Sequence, residues 1–248
     1  MGIEPMEAAP LACLDEPAAR GLARLRAWLV DHIKRRALKH LHRTRSGELL
    51  VLRMCLIAER ATEATLHEDL APQAPDWLQK QIAWHLAEEQ THVRLFADEI
   101  TKRGAPVDLS AKPDWISARK IARWRALALR YAPRFEAGVL VPTYAVGMCA
   151  EQMATRVVKR HVETIGDAHP LAPVLHQVLH DEDKHVRLCR ATLQRAVRPA
   201  EQAALAALLA EVRAIDRGWG VRGALWMYAA GLAYRLRPGE PTGVQAAA

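Results

Sequence analysis

One near-repeat constrains this chain more than any other feature. Glu88-Glu89-Gln90-Thr91-His92-Val93-Arg94-Leu95 matches Asp181-Glu182-Asp183-Lys184-His185-Val186-Arg187-Leu188, both reading acid-Glu-x-x-His-Val-Arg-Leu. Upstream, Ala58-Glu59 precedes Glu89 by 30 residues, and Ala150-Glu151 precedes Glu182 by 31. The repeated unit is a helical hairpin carrying Glu on its first helix and Glu-x-x-His on its second.

The rest of the chain reads as helix too. Ala, Leu, Arg and Val dominate and only 5% of residues are aromatic, a composition that favours helix over strand. The expectation is an all-α fold. Leu22, Leu25, Leu29, Ile33, Ala37 and Leu41 recur at helical spacing over a first helix, about 16–44. Further helices are expected over 46–70, 76–103, 113–131, 133–165, 169–198, 200–217 and 221–235, separated by Pro and Gly. Pro142 should bend the helix that contains it. Three units follow: a loose tail over 1–16, a bundle with basic flanking helices over 17–198, and C-terminal helices with a short tail over 199–248.

The hairpins set the chemistry. Residues three apart share a helix face, so each Glu and its His point the same way. Glu59 and Glu89 lie at matching distances from the turn between them, roughly 18 Å along each leg. Facing hairpins would then gather Glu59, Glu89, His92, Glu151, Glu182 and His185 at one depth. Four buried carboxylates are prohibitive without cations. Two divalent ions balance them, and mixed carboxylate and imidazole donors suit iron or manganese. Glu88 and Asp181 each precede a His by four residues, so each is expected to orient the imidazole on its own helix. The competing reading is that these are solvated surface charges.

At these residues the sequence resembles the ferritin-like di-iron carboxylate superfamily, whose signature is one Glu from each of two helices and Glu-x-x-His from the other two. The resemblance spans roughly 46–197 and implies a ferritin-like four-helix bundle with additional N-terminal, crossover and C-terminal helices. It implies six metal ligands, Glu59, Glu89, His92, Glu151, Glu182 and His185, holding two Fe ions, with a mixed Mn/Fe pair also compatible. The acid before each motif is similar to di-iron oxygenases and desaturases. Phe96 stands where a radical-forming relative has Tyr, and the four-cysteine iron site of rubrerythrins is absent. Thr155, four residues after Glu151, resembles the proton-delivering Thr of the oxygenases.

The expected function is that of an O2-dependent di-iron hydroxylase or oxygenase, served by an external reductase or ferredoxin. Two alternatives stand beside it: an iron-oxidising or peroxide-reducing ferritin-like protein, and a helical scaffold with a structural metal. The net charge of +7 is concentrated in segments 20–45 and 112–134, which together carry +14. Such helices suit an acidic carrier protein, an acidic ferredoxin or tRNA. The cysteines, Cys13, Cys55, Cys149 and Cys189, form no C-x-x-C pair. With no evident signal peptide, they are expected to be reduced thiols in the cytoplasm. The apolar stretch 219–236 is expected to be a buried helix, with a membrane-surface or lid helix as the alternative, and a homodimer is compatible with the chain.

Overall fold

The computed structural model describes residues 11–236, and among these the fold is all-α with no strand. The helices are α1 (Gly21–Leu41), α2 (Arg45–Ala64), α3 (Asp76–Lys102), α4 (Trp115–Tyr131), α5 (Leu140–Ile165), α6 (Ala172–Ala196) and α7 (Gln202–Arg235). Helices α2 and α3 form one hairpin and α5 and α6 the other, with α3 against α6. Helices α1 and α7 pair and pack on α5, and α4 lies against α5 and α7.

Local chemistry explains most boundaries. Thr44 caps α2 by accepting from the Gly47 N–H at 3.1 Å. A Cβ on Gly47 would lie 2.3 Å from the Leu41 carbonyl oxygen, so only glycine lets the chain turn this tightly from α1 into α2. Asp114 caps α4, its Oδ1 accepting from the N–H groups of Ile116 and Ser117 at 2.8 and 3.2 Å. Gly104 and Gly166, with φ of +67° and +78°, follow α3 and α5.

Several expectations need correction. The helix expected from Pro133 starts at Leu140, because Pro133 belongs to a 3-10 turn over Ala132–Arg134. Pro142 is consequently the third residue of α5. No intrahelical bond is required of an N–H there, so it does not bend the helix. The second helix stays α-helical only to Ala64, then widens into a π turn over Thr65–Leu70. The last two expected helices are one, since α7 runs straight through Gly218 and Gly220. Farther along α7, a Cβ on Gly231 would come within 3.0 Å of the Ala37 carbonyl oxygen, so glycine there lets α7 approach α1 closely. In the apolar stretch 219–236 only Trp219, Ala224 and Gly231 are fully buried. No helix among the described residues is long and apolar enough to cross a membrane.

The apolar stripe of α1 splits. Ala37, Leu38 and Leu41 are buried, whereas Leu22, Leu25 and Leu29 are exposed, because the first half of α1 runs past the core. The described part of the expected loose tail is docked. Leu11 and Leu14 are buried, and the Arg213 guanidinium donates to the carbonyls of Cys13 and Leu14, both at 3.1 Å. Residues 1–10 and 237–248, which hold the rest of that tail and the C-terminal one, lie outside the described residues.

The core falls into two main apolar clusters along the hairpin axis. One includes Leu66, Ile82, Met148 and Cys189, and the other Leu56, Phe96, Val158 and Val178. On each of the four hairpin helices, the residues between these clusters are the acids and histidines of the repeat.

Candidate metal centre

Glu59 comes from α2, Glu89 and His92 from α3, Glu151 from α5, and Glu182 and His185 from α6. All six side chains are buried, with exposures from 0% for both histidines to 8% for Glu59. That burial excludes the reading of solvated surface charges. Their donor atoms form two groups, each within 4.8 Å: Glu59, His92 and Glu182 in one, and His85, Glu89, Glu151 and His185 in the other. Glu89 faces both. Its Oε1 lies 3.2 Å from His185 Nδ1, and its Oε2 lies 4.0 Å from His92 Nδ1. Its two oxygens are thus divided between the two donor groups.

His92 and His185 present themselves alike. Nδ1 points inward on each ring and makes no hydrogen bond, as do Glu89 Oε2 and Glu182 Oε2. The outer nitrogens are anchored: His92 Nε2 lies 3.4 Å from Asp181, and His185 Nε2 lies 3.0 Å from Glu88. A proton held on Nε2 by a carboxylate leaves an Nδ1 lone pair directed inward, the tautomer a metal ligand requires.

This pairing reverses the expected one. Glu88 serves His185 and Asp181 serves His92, each across the gap between α3 and α6. Once each imidazole turns fully inward, its far nitrogen reaches the neighbouring helix rather than the preceding turn of its own. Lys184 closes the network, at 2.6 Å from Asp181 and 3.4 Å from Glu88.

Thr155 lies one turn beyond Glu151 on α5. Its hydroxyl donates to the Glu151 backbone carbonyl at 3.0 Å, the usual use of Thr inside a helix. Tyr144 and Met148 are buried core, and Phe96 closes the other side. His85 is the residue that sequence reading missed. The signal was its place four residues before Glu89, on the same face.

The electrostatics are those of carboxylates crowded together out of water. Burial, reinforced by the Glu89 charge and opposed by His92, pushes the Glu59 carboxyl up to about 8. Burial and the Glu151 charge push Glu182 well up. Burial also acts on Glu89, but the adjacent His185 and His85 imidazoles outweigh it and hold Glu89 down. For His92, burial is outweighed by Glu59, Glu89 and Asp181, and the ring rises to about 9. The protein alone therefore keeps protons in the centre at neutral pH, and a metal ion must displace them. Metal affinity is expected to rise at least about tenfold per pH unit between about pH 6 and pH 8. Calorimetry in buffers of different ionisation enthalpy would count the released protons. Uptake without proton release would contradict these protonation states.

A second histidine group sits at the far end of the hairpins. His42 Nδ1 and His169 Nε2 lie 3.3 and 3.0 Å from Glu48 Oε1, and Arg103 Nε donates to Glu48 Oε2 at 2.7 Å. The Leu171 N–H donates to His169 Nδ1 at 3.2 Å, so the neutral ring carries its proton on Nε2, the nitrogen nearer Glu48. That tautomer has no lone pair for a metal at Nε2, and Arg103 already balances the carboxylate. The group is a polar clamp joining α2, the end of α3 and the α5–α6 turn.

Among the described residues none of the four cysteines is disulfide-bonded. The basic helices spend part of their charge internally: Arg35 pairs with Asp31 and Glu163, Lys120 with Asp216, and Arg125 with Asp69. Comparison with family models, curated proteins and solved structures finds no match to this chain, so its chemistry is argued from the buried His and Glu groups themselves.

Proposed function

We propose that this chain is a ferritin-like di-iron oxidoreductase that uses O2, of the hydroxylase or oxygenase type, reduced by an external donor. The observation that carries the reading is the set of inward, unpartnered Nδ1 atoms of His92 and His185 among four buried carboxylates. Six donors from four helices, with Glu89 directed to both groups, match what two divalent ions need. When bound, such a pair would supply reversible redox change and Lewis acidity for O2 chemistry.

The chain's own residues do the rest. Glu59, Glu89, Glu151 and Glu182 hold the ions and neutralise them. Glu88 and Asp181 fix both imidazoles. Phe96, Met148 and Val178 keep water out, so charge and oxidant are confined. The absence of a C-x-x-C pair means that electrons come from a partner, and the unpaired part of the basic segments 20–45 and 112–134 offers acidic proteins or RNA a surface.

A second reading, iron oxidation or peroxide reduction, is favoured by the close packing of Phe96, Tyr144 and Met148 around the centre. Two open surface pockets lie away from the centre, one of them between α4 and α7 and lined by Arg123, Trp219 and Arg222.

Anaerobic loading with Fe(II), metal analysis and O2 uptake test the proposal. Two iron ions per chain are expected, with O2 consumed after loading and both lost in His185→Ala. A chain that takes up no iron or manganese would refute it. Continuous O2 uptake with Fe(II) as the sole reductant would favour the second reading instead.

A further inference from the structure

The repeat that builds the centre is symmetric, but the centre is not. Helix α3 carries His85 four residues before Glu89, whereas the matching residue of α6, four before Glu182, is Val178, buried in an apolar cluster. His85 is 2% exposed. Its Nε2 lies 3.1 Å from Glu89 Oε1 and 3.6 Å from Glu151 Oε1. Its ring lies beside that of His185, centroids 3.9 Å apart and tilted by 37°. The two donor groups therefore differ in kind. His85, Glu89, Glu151 and His185 offer two nitrogens and two carboxylates, while Glu59, His92 and Glu182 offer one nitrogen and two carboxylates.

Resting on the di-metal reading above, we propose that His85 is a third imidazole ligand serving one metal position only, so that the two positions fill in order. The position nearer α5 has four donor residues already gathered, two of them imidazoles, and fills first. The position nearer α2 has three of its own, one of them an imidazole, and gains at most the far oxygen of Glu89, which lies 4.0 Å from His92 Nδ1. It fills second and is the more open to a small exogenous ligand. A further preorganised imidazole raises affinity at the first position. The second imidazole also favours ions later in the first transition series at the α5 position, leaving the α2 position more tolerant of Mn(II).

His85 differs from the other two imidazoles in one further respect. His92 and His185 each have an outer carboxylate on Nε2, but His85 Nδ1 is buried with no hydrogen-bond partner. Ligation through Nε2 places the proton on that Nδ1, where nothing receives it. His85 is thus the most weakly supported of the three ligands, and its removal should cost less affinity than removal of His185.

Anaerobic titration of the metal-free full chain with Co(II), read by calorimetry and by visible absorption of the ion, tests this directly. The wild type is expected to bind two ions in steps at least about tenfold apart. His85→Gln is expected to weaken the first step by about 10- to 100-fold, alter the absorption of the first ion, and leave the second step in place. His185→Gln should weaken the first step further. Circular dichroism checks that the variants keep their helices, and the wild-type isotherm needs no variant. Two equal steps, or a His85→Gln chain with an unchanged first step and spectrum, would overturn the inference while leaving the di-metal reading intact. A wild type that binds no Co(II) overturns both.

Discussion

Glu182→Gln is expected to abolish tight binding of the metal pair and yet stabilise the metal-free protein by about 1–2 kcal/mol. Glu182 is 1% exposed and faces Glu59, Glu89 and Glu151, whose negative charges it cannot join without cost. Gln keeps the shape and removes the charge. It also removes a donor that an ion needs, so the same substitution acts oppositely on the two states. Glu59 and Glu182 both have carboxyls raised above the unfolded value of about 4.3. The native state then holds more protons than the unfolded state, and stability falls as pH rises past about 4.3. For Glu59 the loss runs until its own value near 8. Metal-free wild type should therefore melt at a lower temperature at pH 8 than at pH 5, and Glu182→Gln should show a smaller drop. A variant that is less stable than wild type without metal, or that still binds two ions tightly, would contradict this account of the centre.

The second large effect lies away from the metals. Glu48→Ala is expected to destabilise the fold by about 1–3 kcal/mol, because Arg103 keeps Glu99 but loses its second carboxylate, and His42 and His169 lose the carboxylate between them. Burial alone would push Glu48 up, but His42 and Arg103 outweigh it and hold the carboxyl at about 2. The sign is opposite to that of the centre. This stabilisation is complete above the unfolded value of about 4.3 and is lost as pH falls toward about 2. Urea titrations of wild type and Glu48→Ala at pH 7 and pH 3 would show it. A loss at pH 7 below about 1 kcal/mol would mean that the clamp is ornamental.

The two polar groups were not equally legible in the sequence. The repeat names its own members: a shared motif, shared flanks and paired upstream acids point to six residues before any packing is known. His42, Glu48, Arg103 and His169 share no motif and come from distant stretches of chain, so only folding reveals that they meet. His85 lies between these cases. Its spacing from Glu89 was visible, but half of the repeat lacks it, and a pattern search keyed to symmetry passes over a residue that breaks the symmetry. For Thr155 the spacing placed the hydroxyl one turn beyond Glu151, and only the structure shows that it donates to the Glu151 backbone carbonyl.

Helical periodicity and the spacing of Pro, Gly and capping residues determined the all-α class, the two hairpins and the side chains that meet between them. These are local consequences, because a helix face follows from residue spacing alone. Tertiary structure decided which carboxylate holds which histidine, that α7 continues through its glycines, that the first half of α1 lies outside the core, and that residues 11–15 are docked. Each of these depends on what stands opposite in space. A side chain turned inward meets the neighbouring helix before its own, and a helix long enough to pack along α1 outweighs the small propensity cost of single glycines.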